Sequence, residues 1–496
     1  MINNSIKILL FFVLFFSACK KEKWIFDSPA NDNLELPLLL NINGKNCALD
    51  IESKSFRFPI VQNSISNFTA FVTFQDYTSL KFNGILFENG VENKFGDIAI
   101  NTAYELEFTT NDEKNEFTLY FTSIPTVQIV ALDKIKNEPK SYARIIVNYA
   151  KTNLETVNNI IGIEHRGISA LAHPKKSMGF KLLNSFDMNN EKSLAFFNKK
   201  QNIDWVLDAM YIDKAKTRNL TSLALWQNLN TDFKHIGTSC EFVEVFLNYE
   251  SLGLYTFCEK LNETFLDINA ESVLITGKQN LETTYFRKHP KTKSIGPYWA
   301  GWEQKFPNPD FGGHDWSTIN ALSDLVTQQS DINFITQIAQ VIDFDNFIDY
   351  FLYVNILKGY DSVGKNWYLY KKDLNEPFKI IPWDLDSSWG RDFTASKVKP
   401  QGLVSNGIYD RLLALNPEMF REKLKTRWAV LKNNEMSPST LIGLFDENFE
   451  TLNQSNLIEI DNQIWGKNVD LTSERAYLNY WIPVNWNYID EYINSL

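Results

Sequence analysis

The sequence predicts an α+β protein in which a small all-β unit leads into a larger mixed one, and three observations predict it. Alternating β-type runs separated by Asn-Gly turns fill residues 24 to about 125. From Ile124-Pro125 onward, strand-like runs alternate with helical periodicities to the C-terminus. The composition, 44% hydrophobic and 22% charged with 37 Phe and 13 Trp, is that of a chain with large packed interiors. At one unit per ~150 residues, 496 residues correspond to about three units.

The first 19 residues read as an export signal. Lys7 supplies positive charge, Ile8 to Phe16 form an apolar run too short to span a bilayer, and Ser17-Ala18 are small residues before a cysteine. Phe16-Ser17-Ala18-Cys19 resembles the lipobox of bacterial lipoproteins, with Phe where Leu is commonest. The resemblance implies lipidation of Cys19 and residence in the bacterial cell envelope, periplasmic or surface-exposed, held to a membrane by acyl chains worth about 0.8 kcal/mol per buried methylene.

Residues 24–125 carry the runs Leu36 to Ile42, Phe68 to Phe74 and Phe117 to Phe121, with turn signals at Asn43-Gly44, Asn83-Gly84 and Asn89-Gly90. Period-two alternation with tight turns predicts a small immunoglobulin-like β-sandwich. No catalytic constellation falls within it, so spacing or docking is its expected role. Three cysteines remain, Cys47, Cys240 and Cys258, without metal or redox spacing. Cys240 and Cys258 either pair across neighbouring strands in an oxidising compartment or stay as buried thiols.

The second unit, residues 126–496, contains a helix over Asp213 to Leu229. Another begins at Asp343 as N-cap, with Phe344, Phe347, Ile348, Phe351 and Val354 at helical spacing, and the tail Leu471 to Leu496 is a third. Residues 277–316, rich in Lys, Pro, Gly and Trp, read as a long excursion of low regularity. The net charge of −11 excludes a nucleic-acid partner, which demands a basic face. It does not exclude a local basic pocket for a polyphosphate.

The chemistry concentrates between Asp361 and Gly390. Trp367 to Tyr370 and Phe378 to Ile381 flank a polar turn at Asp373 to Pro377 and predict an antiparallel hairpin. Such a hairpin brings Asn366 and Asp384 to one edge, with Asp361 a short loop away. Two carboxylates and a carboxamide suit magnesium, which takes one or two carboxylates plus phosphate oxygens. Asp386 is either a further metal ligand or a turn residue. Singly, each of these residues reads as an ordinary loop cap; their coincidence points to an active site. Asp361 precedes Asn366 by five positions, the spacing of the kinase catalytic aspartate and its metal-binding asparagine.

Lys358 to Tyr370, followed by Ile381 to Gly390, resembles the signature of the CotH (spore coat protein H) kinase family. Arg166 to Ser169, Lys175 to Lys181, Tyr211 to Asn219 and Phe246 to Lys260 match it in order. The resemblance implies an atypical, two-lobed protein-kinase-like fold over residues 126–496. It also implies ATP and Mg2+ as cofactors, and transfer of the γ-phosphate to Ser or Thr of a protein partner. Asp361 is the implied catalytic aspartate, and Asp384 the implied metal ligand beside Asn366.

Ile161 to Gly167 and Met178 to Leu183 read as strands joined by a loop bearing Lys175 and Lys176. Arg166 and one of Lys176 or Lys181 are the candidates for contacting phosphates, and Glu259 is a candidate orienting partner for that lysine. Solvated surface charge is the ordinary reading of the three lysines. Arg218 and Asn219 lie on a helix and read as structural. His165, His173 and His235 lack ligand spacing. Neither a G-x-S-x-G elbow nor a G-x-x-x-x-G-K-[ST] loop occurs. The alternatives are a non-catalytic envelope protein that binds protein or glycan through a degenerate kinase fold, and a transferase moving AMP.

Overall fold

The computed structural model describes residues 40–496 apart from 76–77, 111–112, 151–152, 168–169, 230–234, 292–293 and 309–311. Cys19 and the export segment lie outside the described residues. The described residues from Leu40 to Leu496 belong to one compact unit. It is a mixed α and β structure, with several sheets and, from Ser317 onward, mostly helices.

Between Asn41 and Thr122 the described elements are strands in two sheets. Lys45–Asn46, Asn41–Ile42, Ser64–Thr73 and Val91–Ala99 make the first. Ala48–Asp50, Ser55–Pro59, Glu113–Thr122, Ala103–Thr110, Ser79–Phe82 and Ile85–Phe87 make the second. Alternation turns large rings inward, so Phe95 of the first sheet meets Phe82 and Phe121 of the second at 4.8 and 6.1 Å between centroids. Both residues of Asn43-Gly44 and of Asn83-Gly84 have positive φ, as tight hairpin turns require. These sheets dock directly on the next element: Arg57 lies 3.6 Å from Glu244, whose carboxyl is pushed up by burial.

Seven strands then close a barrel: Thr126–Ala131, Ser141–Ala150, Leu154–His165, Met178–Leu183, Asp204–Asp208, Glu250–Glu259 and Cys240–Leu247, the last pairing parallel to the first. Closure leaves no open edge. Ile129, Val147, Ile161, Phe180, Trp205 and Phe257 fill the interior.

A five-stranded sheet follows, ordered Tyr298–Trp299, Trp302–Phe306, Val273–Gly277, Trp367–Lys371 and Lys379–Pro382. Two of these strands lie in the 277–316 excursion, which is therefore more regular than its composition suggests: Trp299 and Trp302 bury their rings and pull the chain into the sheet. The helix Phe344–Leu357 runs beneath, capped by the Asp343 side chain accepting the Asn346 amide at 3.0 Å. Every residue from Asn346 to Leu357 is buried, so this helix is enclosed on all faces. Helices Gly407–Leu415, Phe420–Leu431, Pro438–Ser455 and Leu471–Ser495 belong to the same core. The helix expected from Asp213 begins instead at Arg218, because the Asp213 carboxylate accepts from the amides of Ala215 and Arg218 and holds the preceding turn.

Candidate active site

The hairpin pairs Trp367 with Pro382 and Tyr370 with Lys379, so Asn366 and Asp384 flank the same end. The Trp383 amide donates to the Asn366 carbonyl at 3.1 Å, and Asn366 Nδ2 donates to the Asp384 carbonyl at 3.1 Å. Both residues sit in the left-handed region, at φ +59° and +57°. Asn and Asp tolerate that conformation better than other residues with a Cβ.

Asp361 arrives from another direction. The enclosed helix ends at Lys358 with φ +55°, and a 3-10 turn, Tyr360–Val363, carries Asp361. Its Oδ2 lies 3.0 Å from the Lys365 ammonium, and Asn280 Nδ2 donates to its Oδ1 at 2.7 Å. The turn is tightly enclosed: a Cβ on Gly277 would come within 2.2 Å of the Gly364 carbonyl oxygen.

One cleft gathers these groups between the barrel and the hairpin. Asp361, Asn366, Asp384 and Asp386 line it together with Arg166, Lys365, Asn219 and Asp208. Arg166 leaves the barrel edge with its guanidinium 5.7 Å from the Trp383 ring centroid. Asp208, at the end of the strand Asp204–Asp208, is absent from the sequence-derived site. Ser177 Oγ and the Met210 amide donate to its Oδ1 at 3.1 and 3.2 Å. A single carboxylate closing a strand carries no spacing signal by which sequence could have singled it out.

Four carboxylates against two cations leave this lining with surplus negative charge. Asp384 reaches solvent in the cleft, yet the protein around it and the charge of Asp208 raise its carboxyl above the usual range, against the pull of Arg166 and Lys365. Asp386 is raised further, by burial and then by Asp384, Asp208 and Asp213. Repelling carboxylates short of positive charge are a fit for a divalent cation. Among the described residues no group of three or more acidic, His or Cys side chains is placed to hold a metal ion by itself. Magnesium does not need one, since phosphate oxygens and waters supply most of its octahedron.

The other candidates sit elsewhere. Lys176 donates to the Leu171 carbonyl at 2.5 Å, and Lys181 pairs with Glu191. Glu259 is buried, accepting from the Ser239 amide and hydroxyl at 2.9 and 2.8 Å. None of the three is among the residues lining the cleft. Lys175 is no solvated surface charge: it is 1% exposed and paired with Asp461. His235 packs on Trp226 and contacts Asp349 at 2.8 Å within the core. Cys240 and Cys258, directly opposed on adjacent strands, are bonded as a disulfide, and Cys258 lines the cleft.

Residues 163–494 match the protein family described as CotH kinase protein. The chain is also similar to the inner spore coat protein H of Bacillus subtilis (strain 168), with 24% identity over 226 residues, 44% of this chain. That match spans 59% of the length of the Bacillus protein.

Proposed function

Because this chain belongs to the CotH kinase protein family, we propose that it is an ATP-dependent protein kinase that transfers the γ-phosphate to a Ser or Thr hydroxyl of a protein partner. The observation that carries this reading is the convergence of Asp361, Asn366, Asp384, Asp386 and Arg166 on one cleft from three separate stretches of chain. In it the barrel is the strand-rich lobe and the helices around Phe344–Leu357 the other lobe of an atypical protein-kinase-like fold.

Asp361 takes the acceptor proton on Oδ2, the oxygen facing the cleft-lining Lys365. The hydroxyl oxygen forms its bond to the γ-phosphorus as the bond to the β,γ-bridging oxygen breaks, and ADP leaves. Arg166 and Lys365 offset charge on the transferring group. Asp384, Asp386 and Asn366 Oδ1 would hold Mg2+, which when bound neutralises phosphate charge and aligns the triphosphate. Lys176, Lys181 and Glu259 keep their proposed roles only if nucleotide binding draws them from their present partners. Lipidation of Cys19 would tether the kinase to a membrane of the envelope, with the N-terminal β unit as spacer or docking element.

Incubation of the purified chain with γ-labelled ATP, Mg2+ and envelope proteins tests this, with label expected on Ser or Thr. Label retained in a parallel incubation with α-labelled ATP, and none with γ-labelled ATP, would mean AMP transfer. Absence of any thermal shift with ATP and Mg2+, where saturation at 100 times Kd should add about 2.7 kcal/mol, would favour a non-catalytic binding protein.

A further inference from the structure

The peptide group joining Asp384 to Leu385 is held at both ends by asparagine side chains. Asn366 Nδ2 donates to its carbonyl at 3.1 Å, and its N–H donates to Asn219 Oδ1 at 3.1 Å. The first contact belongs to the hairpin, whereas the second comes from a different cleft-lining element, the second residue of the helix Arg218–Asn228. Asp384 has φ +57°, a sparsely populated conformation for a residue with a Cβ, which persists where surrounding contacts over-determine it.

The neighbouring Arg218 extends the grip. Its Nε donates to the Ser388 carbonyl at 3.0 Å and its Nη2 to that of Trp389 at 3.5 Å. Asp213 at 2.6 Å and Glu474 balance its charge, and Arg391 holds Glu474 in turn, at 2.6 Å. The segment from Asp384 to Trp389 therefore hangs from the first two residues of one helix, and the anchored Leu385 amide lies between the two cleft carboxylates.

We infer that Asn219 is a positioning residue of this site: by fixing the 384–385 peptide plane it sets the directions in which Asp384 and Asp386 present their carboxylates. The inference rests on the proposed nucleotide and metal site. Fixed ligands lose less freedom on binding, so releasing the plane should weaken metal-dependent binding more than it disturbs the fold.

Calorimetric titration of ATP into the purified full chain, with Mg2+ and separately with EDTA, reads this directly. Asn219→Ala should weaken Mg2+-dependent ATP binding by about tenfold, in line with losses seen when outer contacts to metal ligands are removed, while binding in EDTA stays unchanged. Asn219→Gln keeps a neutral carboxamide acceptor for the Leu385 amide without adding a carboxylate to the cleft, and should lose less Mg2+-dependent binding than Asn219→Ala. Should Asn219→Ala fail to melt cooperatively, Asn219→Ser carries the same comparison. Equal Mg2+-dependent affinity in Asn219→Ala and wild type overturns the positioning role and leaves the kinase reading intact. A wild-type chain that binds ATP without any dependence on Mg2+ overturns both.

Discussion

Lys175 and Asp461 form a buried ion pair, 2.5 Å from Nζ to Oδ1, that ties the loop before the barrel strand Met178–Leu183 to the helix Leu457–Trp465. Lys216 approaches the other carboxylate oxygen at 3.5 Å, and the Leu254 amide donates to Oδ1 at 3.2 Å. Asp461→Asn leaves two buried ammonium groups without their counter-charge. It should cost about 3–5 kcal/mol, read as a lower urea midpoint at neutral pH.

The same pair gives a pH signature. Burial pulls the Lys175 ammonium down to about 8 from its ordinary 10.5, with Asp461 opposing. Between those values the unfolded chain holds a proton that the folded chain has released, so this lysine makes stability rise as pH increases through that window. Lys175→Met should flatten that part of the stability profile; an unchanged slope would show that Lys175 does not titrate there.

Asp361→Asn should lower phosphate transfer by roughly 10²–10⁴-fold, the usual contribution of a positioned proton acceptor. ATP affinity and melting temperature should stay near wild type, since neither proposed metal contact nor core packing changes. Transfer at the wild-type rate would remove Asp361 from the mechanism.

The raised carboxyls of Asp384 and Asp386 predict a pH-dependent response to metal. Because both are raised in the folded state, their contribution to stability is present at low pH and is lost as pH rises through their titration above the ordinary carboxylate range. Mg2+ favours the ionised forms, so its stabilising effect should grow with pH over that interval. Melting curves from acid to neutral pH, with and without Mg2+, should diverge; parallel curves would exclude these two carboxylates as the metal site.

Removing the Cys240–Cys258 bridge, which closes a loop of sequence separation 18, should cost about 2–4 kcal/mol. Paired Ser substitutions and a reducing agent should lower the denaturation midpoint equally. A larger drop for the substitutions would locate part of the loss in packing.

The hairpin beside the site was legible in sequence because two aromatic and β-branched runs around a polar turn admit few other pairings, and Trp367–Lys371 does pair with Lys379–Pro382. The start of the buried helix was equally legible, since Asp343 caps the apolar period that runs through Val354. Lys175 was not: a lysine in a polar loop looks solvated until a carboxylate 286 residues away is brought beneath it.

By itself, then, the sequence determined local events governed by near neighbours: the alternating strands, the Asn-Gly turns, the register that sets Asn366 beside Asp384. Only the tertiary structure decided which distant groups meet. Barrel closure delivers Arg166 and Asp208, and the helix at Arg218 sends Asn219 across to Leu385. Both depend on burial of rings and pairing of charges over long separations, and no local pattern in the chain encodes those contacts.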